Sequence, residues 1–70
     1  MKYNIGDTFI QRSRAGLITV VIVLESSDEF TTIFWKRKME GFLDYPVQIE
    51  NVDTKNLAMN ASELGYQKVN

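Results

Sequence analysis

Residues 17–24 read LITVVIVL, the longest apolar run in the chain, broken only by Thr19. Six of these eight residues are β-branched, so the segment is predicted to be a strand rather than a helix. Side chains alternate across a strand, and here both alternating sets are apolar. Such a strand belongs in the middle of a sheet with both of its faces covered. It is also far short of the roughly 20 apolar residues that a membrane-spanning helix needs.

The rest of the chain is punctuated around that strand. Its four glycines stand at positions 6, 16, 41 and 65, where turns are expected. Gly6-Asp7 precedes a short run over 8–12, and Arg14-Ala15-Gly16 reads as a turn into the central strand. A polar loop over 25–29 follows, then a strand over 30–38 rich in Thr, Ile, Phe and Trp. Met39-Glu40-Gly41 closes a hairpin into a fourth strand over 42–49, which Pro46 confines to an edge. The tail then changes period. Asp53 or Thr54 can cap a helix running to Leu64, with Leu57, Ala61 and Leu64 on one stripe and Gly65 at its end. A short final strand over 67–69 completes the order. The expected class is α+β: a four- to five-stranded antiparallel sheet with one C-terminal helix, in a single domain over 1–70. The order, with a helical turn before the last strand, resembles a small SH3-like barrel.

Seventy residues bury little surface, and chains of this size usually need a staple. There is no cysteine and no histidine, so disulfides, thiolate or imidazole metal ligands and a histidine base are excluded. A tight core or a homodimer remains. Residues 1–5 are polar and Asp7 follows, so no secretory leader is expected; the chain reads as cytoplasmic, with no membrane partner. The formal net charge is −1, from eight Lys and Arg against nine Asp and Glu. A dedicated nucleic-acid binder is usually basic overall, which makes nucleic acid the less favoured partner.

The stretch TTIFWKRKMEG, residues 31–41, sets two aromatics against three cations. Strand parity divides it: Thr31, Ile33, Trp35 and Arg37 share one face, and Thr32, Phe34, Lys36 and Lys38 the other. Ile33 and Trp35 read as core. Phe34 with Lys36, Arg37 and Lys38 forms the candidate nucleic-acid site, as rings and cations grip single strands. The acids Glu25, Asp28, Glu29, Glu40, Asp44 and Glu50 form the candidate partner-binding set, a negative surface able to occupy a basic groove. No carboxylate pair, phosphate loop or calcium loop has a recognised spacing, and the serines have no histidine partner. No catalytic residue, metal or cofactor is assigned, and the chain is not expected to be an enzyme.

The opening Met-Lys-Tyr-Asn-Ile-Gly-Asp and the tail Leu-Gly-Tyr-Gln-Lys-Val give the chain an overall resemblance to the small proteins carried by phages and mobile elements of low-GC Gram-positive bacteria. That resemblance implies a non-catalytic protein in the host cytosol that binds and blocks one host protein. A basic DNA-binding protein, engaged by a DNA-mimicking acidic face, is the sharper version. A small nucleic-acid-binding barrel and a structural subunit of a larger assembly are the alternatives.

Overall fold

The structure, a computed structural model, describes residues 3–39, 46–59 and 65–69. Five antiparallel strands form one sheet: β1 (Thr8–Arg12), β2 (Leu17–Ser26), β3 (Phe30–Met39), β4 (Gln48–Asp53) and β5 (Gln67–Lys68). Their spatial order is β4-β3-β2-β1-β5, so the β-branched run lies at the centre and β4 and β5 are the edges of an open sheet. The β1–β2 turn is closed by Ser13, which donates its N–H to Leu17 O at 2.8 Å and accepts from Leu17 N–H on Oγ at 3.0 Å. Gly16 follows with φ +89°, a left-handed conformation that a side chain would strain.

The register fixes what each face carries. Phe9 lies opposite Val21, Val21 opposite Trp35 and Val23 opposite Ile33. These residues share the inner face, where Phe9, Val21, Val23 and Ile33 are buried together with Met59. Tyr3, Trp35, Leu57 and Tyr66 pack against them. Tyr3 meets Phe9 edge to face, with ring centroids 6.0 Å apart. Its hydroxyl donates to Leu57 O and accepts from Met59 N–H at 3.1 Å, which pins the 57–59 segment over the core.

A bulge between Val23 and Glu25 breaks the β2–β3 register. Odd positions of β2 face inward up to Val23, so an unbroken strand would turn Glu25 into the core. The extra residue reverses the parity. Glu25 comes to lie opposite Thr32 and Ser26 opposite Thr31. Ser26, Thr31 and Thr54 then form a hydroxyl chain whose direction is fixed. Thr54 Oγ1 donates its one proton to Ser27 O at 2.7 Å, because a carbonyl only accepts. It therefore accepts from Thr31 at 2.7 Å, Thr31 accepts from Ser26 at 2.8 Å, and Ser26 Oγ accepts from Tyr3 N–H at 2.9 Å.

Three expectations are corrected. The predicted helix over 53–64 does not form among the described residues. Asp53 ends β4 opposite Phe30, its carboxylate makes no cap bond, and Thr54–Asn56 is a single 3₁₀ turn followed by extended Leu57. Thr54 spends its hydroxyl in the buried chain instead of capping, so both candidate caps are taken by the sheet. The described fold is thus nearly all sheet, and residues 60–64 of the expected helix lie outside those described. The fourth strand is Gln48–Asp53 rather than 42–49; Pro46 and Val47 precede it, and residues 42–45 lie outside those described. Finally, the central strand is not equally covered on its two faces. Ile18, Val20 and Ile22 are half-buried, whereas Val21 and Val23 are 3% and 0% exposed.

Candidate interaction surface

The outer face of the sheet, opposite the core, is best followed as rows of cross-strand neighbours. Arg12, Ile18 and Lys38 form the first row, and Ile10, Val20 and Lys36 the second. Thr8, Ile22, Phe34 and Ile49 form the third. Glu25, Thr32 and Asn51 follow, and Phe30 with Asp53 makes the last. Cations occupy the first two rows, apolar side chains the middle, and acids the last two. Lys38 and Phe30 are eight residues apart on β3, about 27 Å at the usual rise of a strand.

The β2–β3 turn adds charge to the acidic end. Ser27 builds that turn: Phe30 N–H donates to Ser27 Oγ at 3.1 Å and Ser27 N–H to Phe30 O at 2.8 Å. Asp28 and Glu29 stand exposed at its tip. Thr54 N–H donates to Glu29 O at 3.0 Å, tying the turn to the end of β4. Glu25, Asp28, Glu29 and Asp53 are thus gathered at one end, with Lys55 as the one base lining the same hollow as Asp28, Glu29 and Asp53. Phe30 stands among them 53% exposed. A second shallow hollow on its other side is lined by Ile5, Glu25, Thr32 and Asn51.

Of the six acids singled out from sequence, the structure brings together Glu25, Asp28 and Glu29. Glu50 lies opposite Ile33 on the core side of β4, in a groove with Trp35 and Tyr66. Glu40 and Asp44 lie outside the described residues. Of the candidate nucleic-acid set, Phe34, Lys36 and Lys38 share the outer face and Arg12 joins them. Arg37 faces the other way, its guanidinium 4.8 Å from the centroid of the Trp35 ring. Sequence reading missed Asp53, assigned to a helix start, and Phe30, which parity alone places on the outer face. Parity fails for Glu25, because nothing in the sequence marks the bulge before it.

Among the described residues no group of three or more Asp or Glu side chains is arranged to hold a metal ion. No helix there is long and apolar enough to cross a membrane. Comparison with known families, curated proteins and solved structures finds no match.

Proposed function

We propose that this chain is a non-catalytic interaction protein whose acidic end docks on a basic protein surface. The observation that carries the reading is an exposed Phe30 set among Glu25, Asp28, Glu29 and Asp53. An aromatic anchor ringed by charge has the anatomy of a binding hot spot, in which burial of the ring supplies most of the affinity. The surrounding carboxylates steer a cationic partner and fix its register. The cluster is compact, which suits one basic loop or helix better than the long groove that duplex DNA would fill. Inhibition of a host DNA-binding protein, in the manner of phage-carried regulators, is the sharper form of this proposal. The strand order and the 3₁₀ turn ahead of β5 support reading the sheet as a small SH3-like barrel scaffold for that end.

The test is fluorescence anisotropy of labelled Lys/Arg-rich peptides titrated with the protein. Phe30→Ala is expected to weaken binding about 30-fold, equivalent to about 2 kcal/mol. The double charge reversal Asp28→Lys with Glu29→Lys is expected to weaken it further at low salt and less at high salt. Absence of binding by the wild type, or equal binding by these variants, would remove the acidic end as the docking site.

A second reading is favoured by one observation: Arg12, Lys36 and Lys38 share the outer face with Phe34. That end would hold a nucleic-acid strand by its phosphates, and Lys36→Ala would flatten the salt dependence of binding.

A further inference from the structure

We infer that the outer face of the sheet is the docking site for a second copy of this chain, packed face to face about a two-fold axis with its strands antiparallel to the first. The inference stands apart from the basic-partner reading, since it rests on the ladder rows and not on the turn acids Asp28 and Glu29, which lie beyond them. Glu25, Phe30 and Asp53, in the last two rows, belong to both surfaces.

The chemistry of the face names the occupant. Its centre is the row Ile22–Phe34–Ile49, flanked by Val20 and Ile10 and containing no charge. Ile49 is 65% exposed on the edge strand, an apolar side chain with most of its surface in water. Among the described residues of the ladder, the charges on one side of that centre are Arg12, Lys36 and Lys38, and on the other Glu25 and Asp53. The pattern is therefore antisymmetric about the apolar row. A two-fold axis lying along that row, across the strands, sends the first row onto the last and the second onto the fourth. Lys38 of each copy then meets the Phe30–Asp53 row of the other, and Lys36 meets the row containing Glu25. Every opposite-charge contact is made twice, as an isologous interface requires. The alternative two-fold, with the axis along the strands, would set cation rows on cation rows and acid rows on acid rows.

Packing of two sheets face to face, with strand directions within about 30° of one another, is the common way to cover such a surface. The size of the chain points the same way. The described core of each copy holds five buried apolar residues, Phe9, Val21, Val23, Ile33 and Met59. Self-association is one route by which a small domain with no disulfide gains further burial. The second copy turns the half-buried residues Ile10, Ile18, Val20, Ile22 and Phe34 into a second core.

Sedimentation velocity across about 1–200 µM protein, a range that brackets micromolar affinities, tests this directly. The wild type is expected to be a dimer at the upper end, with a dissociation constant that rises when salt is raised from about 50 to about 500 mM. Ile49→Lys, a change at an exposed edge position, is expected to give a folded monomer. Lys38→Glu and Asp53→Lys alone should each weaken the dimer about tenfold. The double variant, which restores opposite charges across the axis, should return to within about threefold of the wild type. A wild type that stays monomeric throughout would overturn the inference. So would a dimer indifferent to Ile49→Lys, or single charge variants that the double variant does not rescue. Peptide anisotropy reads the basic-partner proposal separately, so either can fail while the other stands.

Discussion

At the scale of single residues, small hydroxyls and one phenol join segments far apart in the chain. Thr31 is fully buried and Thr54 3% exposed, yet neither lacks a partner, because each passes its proton to the next oxygen. Thr54→Val would leave the Thr31 hydroxyl without its acceptor and Ser27 O without its donor. The expected cost is about 1–3 kcal/mol, measured by urea denaturation. Replacing Thr31 and Thr54 together should cost less than the sum of the two single changes, because the chain is then removed rather than cut. Tyr3→Phe keeps the ring against Phe9 but strips the acceptor from Met59 N–H, and is expected to cost about 1–2 kcal/mol. Unchanged stability in these variants would mean that the hydroxyls hold nothing together. Parity placed Thr31 on the core face with Ile33, but the hydroxyl chain was not legible, because its partner Thr54 is 23 residues away.

At the scale of elements, the first three strands were legible, whereas the fourth strand and the tail were not. β1 begins and ends where the run over 8–12 does, β3 ends at Met39, one residue beyond the expected 38, and the apolar run over 17–24 lies at the sheet's centre. Period-two patterning with β-branched residues carries that much. Over the described residues 53–59 the tail misled, because Leu57, Ala61 and Leu64 match a helical stripe while Asp53, the start that stripe needs, ends β4. Asp53 and Thr54 satisfy sheet partners that local pattern cannot reveal. The bulge at Leu24 was hidden for a related reason, as it exists to turn Ser26 inward toward Thr31 and Glu25 outward. Deleting Leu24 removes the extra residue and leaves Glu25 outward opposite Thr32 and Ser26 inward opposite Thr31. This variant is therefore expected to keep its cooperative thermal transition. A deletion variant that no longer melts cooperatively would contradict the role given to the bulge.

At the scale of the whole molecule, a net charge of −1 conceals a separation of charge from one end of the sheet to the other. The acids around the β2–β3 turn and the cations of Arg12, Lys36 and Lys38 lie at opposite ends of the strands. Composition could not show this, because it counts charges without placing them. Strand parity showed only half of it, by separating Arg37 from Lys36 and Lys38. The ladder register supplied the rest. We propose that this end-to-end polar molecule meets a cationic surface through the exposed phenylalanine at its acidic pole, and that is the central claim. The measurement that tests it most directly is a titration of one Lys/Arg-rich peptide at low salt against three proteins. These are the wild type, the Asp28→Lys/Glu29→Lys variant, and an Arg12→Glu/Arg14→Glu variant of the opposite pole. Binding lost in the first variant and kept in the second is the expected result. Equal affinity for all three would contradict the claim.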